Sequence, residues 1–416
     1  MDVKRMIIGI DLNRSGSQVC CYDRSLGDAV SIPVKAGSDQ LTFPTLLCLV
    51  PADHSWYHGI EARYFAEKKN GILIDQLYDL CADGTSAWIE GKEYAGADLL
   101  AVFLRKTLEA AGAENPASQV AGIVITVPKL TRFFVRAIRQ AYEVLGIPRN
   151  RGFLQDYKES FFVHTLFQSQ DVWARKTGLF EFRNGQVHFS CLEMNFRTKP
   201  VAAYVNDGGS ISLKGNDEQK DRMLVSFIRE SLGEDLYSGI FLMGEEFDQR
   251  WAKESIRLLC KGARKVFGGN NLYAKGAALS AREKTEPGHL KSFLYVGSDL
   301  VRHNVSMELM VQGIAAVYPL ISAGVNWYET AADFEILLDQ GEELTFLVSR
   351  MNEKSRKKLV MPLPGLPSRP AGTTRLKVHM EYEAAGKCRI TAEDLGFGEM
   401  FPASGKIWNE VMEDQN

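Results

Sequence analysis

The sequence predicts an α/β domain followed by an all-β domain. Two observations carry this. A hairpin of two apolar strands around a small polar turn opens the chain near residue 6 and recurs near residue 178, each time followed by helices alternating with apolar strands. Beyond Pro287-Gly288 the pattern changes to strict alternation of apolar and polar residues, the period of half-buried strands. The recurrence is a weak internal repeat and suggests two related lobes, about 1–175 and a shortened 176–287, ahead of a sandwich-like domain over 288–416.

Taken in order, residues 6–23 form the first hairpin, and a third strand follows near 29–33. Residues 57–70 read as a turn entering a helix. Residues 98–111 are an amphipathic helix with Leu99, Leu100, Phe103 and Leu104 on one stripe. The run 121–127 is wholly apolar apart from Thr126, the composition of a strand covered on both faces. Pro128 ends it. Phe134, Ala137, Ile138, Ala141 and Leu145 then recur at helical spacing up to Gly146, which sits where a C-cap belongs. In the second half, 178–182 and 187–194 pair around the turn Arg183-Asn184-Gly185-Gln186, with a third strand at 201–205. Helices are expected at 221–232, about 247–265 and 271–281, and a buried strand at 239–243. Phe161, Phe162 and Trp173 read as packing between the lobes. In the last domain Leu344, Phe346 and Val348 alternate, as do Leu376, Val378, Met380 and Tyr382. Gly386-Lys387 then turns the chain into Cys388, Ile390 and Ala392.

Composition excludes several classes. Lys plus Arg number 49 and Asp plus Glu 52, a net charge of −3, which argues against a dedicated nucleic-acid binder. No apolar run reaches the roughly 18 residues of a membrane-spanning helix, and the opening residues do not read as a signal peptide. The seven cysteines are odd in number, two are adjacent, and no Cys-x-x-Cys occurs, so reduced thiols in a cytoplasmic protein are expected. The basic runs at 253–265 and 350–358 read as solvated surface. No nucleophile-elbow spacing supports a hydrolase.

One pattern points to chemistry. A strand ending in Gly-x-Asp before a small polar turn presents backbone N–H groups to an anion and a carboxylate to Mg²⁺. Gly9-Ile10-Asp11, followed by Asn13-Arg14-Ser15-Gly16-Ser17, fits that description. With this motif the chain resembles the actin-like ATPase superfamily, and within it the seventy-kilodalton heat-shock (DnaK-type) chaperones. Residues 9–17 resemble the family's Gly-Ile-Asp-Leu-Gly-Thr-Thr-x-Ser. Thr42-Phe43-Pro44-Thr45 resembles its Thr-Thr-Pro-Ser turn, and His58-Gly59-Ile60-Glu61-Ala62 its Val-Gly-x-x-Ala. Val-Ile-Thr-Val-Pro at 124–128 matches the family letter for letter. Residues 377–394 resemble a strand pair of the family's substrate-binding domain, so the likeness reaches both ends of the chain.

The resemblance implies a two-lobed actin-like fold, a duplicated ribonuclease-H-like architecture, followed by a β-sandwich without the helical lid. It implies ATP or ADP with Mg²⁺ as cofactors. Asp11 and Glu181 would hold the metal, and Asp156 would position water. Gly9, Asn13, Arg14, Ser15, Gly185 and Gly244 would line the phosphates and adenosine. The chain departs from the family where catalysis needs it most. Asn13 puts a Cβ where glycine allows close approach. No lysine occurs at Ile74-Asp75-Gln76-Leu77, where the catalytic one belongs. The family's Asn-Glu-Pro-Thr-Ala corresponds to Gln155-Asp156-Tyr157-Lys158-Glu159, and its triple-glycine second phosphate loop to Glu181-Phe182-Arg183-Asn184-Gly185-Gln186. The adenosine loop becomes Met243-Gly244-Glu245-Glu246-Phe247, two acids beside a polyphosphate, and the helical subdomain that packs on adenine has no counterpart before 239. Phosphoryl transfer rests on positioning and charge neutralisation. The expectation is therefore a degenerate chaperone homologue: a protein-binding scaffold or weak nucleotide sensor that takes protein or peptide through its β domain. An active Mg-ATP-dependent ATPase and a structural partner of another chaperone-like ATPase are the alternatives.

Overall fold

The computed structural model describes residues 5–414 except Ala36, Glu245, Ala263, Pro287, His289, Gln340, Asn352 and Lys354. The chain divides into two compact units, Met1–Val296 and Gly297–Asn416. The first is α/β with two mixed sheets, and the second is built of strands. The charge expected from Glu245 lies outside the described residues.

The first sheet starts with β1 (Met6–Leu12) and β2 (Ser17–Asp23), antiparallel, and continues into β3 (Asp28–Ser31). An insertion follows, made of β4 (Leu47–Val50), β5 (Ser55–His58), α1 (Gly59–Lys68), β6 (Ile72–Ile74), α2 (Leu77–Asp83) and the hairpin β7 (Ser86–Ile89) and β8 (Lys92–Ala95). Then come α3 (Gly96–Ala110), α4 (Pro116–Gln119), β9 (Val120–Val127), α5 (Arg132–Val144), β10 (Gly152–Asp156), α6 (Tyr157–Leu166) and α7 (Gln170–Trp173). The strand order is β10-β9-β1-β2-β3, with β9 parallel to β1. β9 has six consecutive buried residues, as its apolar run requires.

The second sheet repeats this plan. β11 (Lys176–Arg183), β12 (Gln186–Asn195) and β13 (Val201–Ser212) form the antiparallel meander. After α8 (Asp217–Leu232), β14 (Tyr237–Met243) lies parallel to β11. α9 (Lys253–Leu259), β15 (Lys265–Gly269) and α10 (Leu272–Thr285) follow. The order is β15-β14-β11-β12-β13-β16, where β16 (Phe293–Tyr295) is an added edge. That edge carries the first unit to Val296, beyond the 287 expected, because β16 pairs with β13. The helix expected over about 247–265 is shorter and ends in a strand. Gly262 takes φ +72, and the chain then pairs with β14, a tertiary contact that overrides the helix-favouring Lys/Arg composition.

Two glycines set the distance between layers. A Cβ on Gly9 of β1 would lie 2.1 Å from the Ala278 nitrogen and 2.5 Å from the Ala274 oxygen, so α10 packs against the β1 backbone. A Cβ on Gly276 of α10 would lie 2.2 Å from the Ser160 oxygen of α6. Phe161, Phe162, Leu179, Phe241, Ala274 and Ala278 share one buried cluster around these helices. Trp173 packs against its margin.

The second unit has two four-stranded sheets. Their orders are β18-β17-β20-β21 and β19-β22-β23-β24, from β17 (His303–Val311), β18 (Ile314–Ile321), β19 (Ala331–Leu338), β20 (Glu343–Arg350), β21 (Lys357–Pro362), β22 (Thr374–Ala384), β23 (Lys387–Asp394) and β24 (Ile407–Glu413). β22 and β23 alternate buried and open positions along most of their length. No helix among the described residues is long and apolar enough to cross a membrane.

Candidate functional site

β1 and β11 hold the same position in their sheets, and each carries an acid near its C-terminal end, Asp11 and Glu181. β10 ends in Asp156, whose side chain caps α6 by accepting from the Glu159 N–H at 2.7 Å. That cap fixes Tyr157 as the first residue of α6. Tyr273 is the second residue of α10.

These residues meet. The Tyr157 hydroxyl donates to Asp11 Oδ1 at 2.6 Å, and the Tyr273 hydroxyl donates to Glu181 Oε2 at 3.0 Å. The two rings stack, with centroids 3.7 Å apart and planes 18° from parallel. Arg183, two residues along β11 and so on the same face as Glu181, places Nη2 2.5 Å from Glu181 Oε1. Its guanidinium also lies 5.7 Å from the Tyr157 ring centroid.

Burial dominates the electrostatics. Asp11 is 8% exposed, and burial lifts its pKa to about 7. The Tyr157 hydrogen bond and Arg183 pull it down, and Glu181 pushes it further up. Burial, followed by the neighbouring carboxylates, raises both tyrosine hydroxyls well above their ordinary value. They therefore stay protonated and act as donors. Arg183 carries a permanent charge. The arrangement is a buried acid–phenol pair beside an acid–phenol–guanidinium group.

The remaining sequence candidates have other partners. The Asn13 carbonyl accepts from Thr45 Oγ1 at 2.5 Å. Arg14 pairs with Asp79 of α2 and lies 5.7 Å from the Tyr78 ring centroid. Ser15 is exposed. Asn184 and Gly185 both take positive φ, the mark of a two-residue hairpin turn, and the Gly185 N–H donates to Glu246 Oε2 at 2.7 Å. Gly244, at φ +121, is needed because a Cβ would lie 2.1 Å from the Phe182 oxygen. Gly9 serves the close approach of α10. Asp11, Glu181 and Arg183 are brought together, whereas Asn13, Arg14 and Gly185 are engaged by neighbouring side chains. Among the described residues no group of three or more His, Cys, Asp or Glu is arranged to hold a metal.

The sequence reading missed Tyr157 and Tyr273. The first had a signal, since an aromatic stands where the resembling motif has proline. The second had none: it is a single tyrosine beside Leu272 at the start of α10.

Residues 28–298 match the family described as "Family of unknown function (DUF5716) C-terminal". The chain belongs to this family. The matched stretch contains β11, α6, α10 and β3, and leaves β1 and β2 outside it. Residues 300–413 match a second description, "Domain of unknown function (DUF8552)", which covers the strands of the second unit. A comparison with curated proteins finds no match.

Proposed function

We propose that this DUF5716-family chain is a two-lobed actin-like domain, related to the DnaK-type chaperones, whose nucleotide cleft is filled by its own side chains, and that it works as a protein-binding scaffold. The strand order supports the fold reading: an antiparallel meander followed by two parallel strands occurs in both sheets. The observation that carries the functional reading is the pairing of both candidate metal carboxylates with protein groups, Asp11 with Tyr157 and Glu181 with Tyr273 and Arg183. Mg²⁺ demands near-octahedral oxygen ligands. Two protonated phenols and a fixed guanidinium are a poor donor set for it, so the residues do not fit the ion.

Calorimetric titration of the full chain with Mg-ATP and with Mg-ADP tests this. The expected result is no binding heat at millimolar nucleotide. Micromolar binding would overturn the filled-cleft reading and favour a nucleotide sensor.

The binding half of the proposal rests on β18, the edge of its sheet. Ile314 is 70% exposed there and Tyr318 51%, beside unpaired backbone groups. Such an edge suits an extended apolar peptide added as a further strand. In fluorescence anisotropy with a labelled apolar heptapeptide, Ile314→Lys combined with Tyr318→Lys should weaken binding at least about tenfold. Unchanged affinity would rule out this edge.

A further inference from the structure

A separate cavity of about 420 Å³ lies in the first unit, among the β2–β3 end of the sheet, the start of α1 and the end of α3. That volume falls within the range of small-molecule sites. Val19, Ile32, Val34 and Phe43 supply apolar wall.

Two polar groups interrupt the wall. Thr107 of α3 is 2% exposed, and its Oγ1 has no hydrogen-bond partner. A threonine inside a helix ordinarily turns its hydroxyl back to a carbonyl of the preceding turn, so an orphan hydroxyl beside a cavity marks a donor without a use in the fold. His58 ends β5, with its ring edge-on to Phe43 at 5.6 Å and to Phe103 at 5.9 Å. Burial lowers its pKa to about 4, so at neutral pH it offers one donor and one acceptor without charge. Lys35 and Glu61 also line the cavity, with opposite signs. A charged ligand would satisfy one of them and oppose the other.

We propose that this cavity binds a small, uncharged, mainly apolar molecule whose single hydroxyl or carbonyl group is received by His58 and by Thr107, whose enclosed hydroxyl turns toward the cavity to meet it. It does not depend on the reading of the Asp11 site, because no residue is shared.

The test is an NMR titration of the full chain with two probes that differ by one hydroxyl, 4-ethylphenol and ethylbenzene, following the His58 ring protons. The phenol should bind at submillimolar concentration, shift those protons, and bind at least about fivefold more tightly than the hydrocarbon. Thr107→Val should bring the phenol down to the hydrocarbon's affinity and leave the hydrocarbon unchanged. Val34→Trp, in a partly exposed segment, should fill the cavity and abolish both while the melting temperature stays put. Failure of 4-ethylphenol to bind at millimolar concentration would overturn the proposal. So would full binding in Val34→Trp, or a phenol preference that survives Thr107→Val.

Discussion

Asp11→Asn should make the protein more stable at pH 8, although an acid is being removed from the motif that resembles a metal site. The folded carboxyl titrates at about 7, against an ordinary value of 3.8, chiefly because it is buried. A raised acid pKa means that the folded state holds the proton more tightly than the unfolded chain does. The contribution is fully present below the ordinary value and is lost as pH rises through about 7. Above that, the wild type bears the whole cost of an ionised buried carboxylate, with an upper limit of about 4 kcal/mol. Asparagine is neutral at every pH, and its Oδ1 still accepts from Tyr157. Its amide N–H groups need partners, which keeps the gain below the limit. Differential scanning calorimetry at pH 8, 5 and 3.5 should show a rise in melting temperature that shrinks with falling pH and vanishes at the last point. A loss of stability at pH 8 would mean that the carboxylate is ionised and compensated by a cation.

Arg369→Met should cost the second unit about 3–5 kcal/mol, a large part of a domain's usual margin. The Asp394 side chain is fully buried, and Arg369 meets it with two parallel bonds of 2.7 and 2.8 Å. The same carboxylate accepts from the Gly396 N–H at 3.0 Å and the Ser404 N–H at 2.9 Å, and Arg369 also donates to the Pro402 carbonyl. One ion pair thus folds the connection between β23 and β24. Methionine fills the volume but leaves a buried charge alone. Arg369, followed by the Ser404 and Gly396 contacts, holds the Asp394 carboxyl well below its ordinary value. For a lowered acid pKa the stabilisation is present above 3.8 and is lost as pH falls through the folded value, so the wild-type unit should weaken only in strong acid. In urea titrations at neutral pH the variant's midpoint for this unit should drop sharply, and Asp394→Asn should flatten the acid limb. An unchanged midpoint in Arg369→Met would mean that the pair contributes nothing.

The parts of the fold legible in the sequence are those with a period. Both hairpins, β9, α5 and the alternating strands β22 and β23 follow directly from where apolar residues recur. β15 did not, because its pairing with β14 is decided across space. β13 runs on through Asp207-Gly208-Gly209-Ser210, a stretch whose composition reads as a loop, because β12 offers it a partner strand. At the candidate site, Asp11 was visible as the acid ending an apolar strand, and Asp156 and Glu181 through the resemblance to the chaperone motifs. Their partners were not: Tyr157 is 146 residues from Asp11 and Tyr273 is 92 from Glu181. A single tyrosine carries no periodic signal, and contact at such separation is set only by the crossing of α6 and α10.

That crossing limits how the first unit can move. Layers slide past one another when side chains between them can change rotamer. Between β1 and α10 at Gly9, and between α10 and α6 at Gly276, backbone lies against backbone with no room for even a methyl group. There is no rotameric slack to absorb a shear. The first sheet, α10 and α6 are riveted together, and the amides of α10 should open only when the whole unit does.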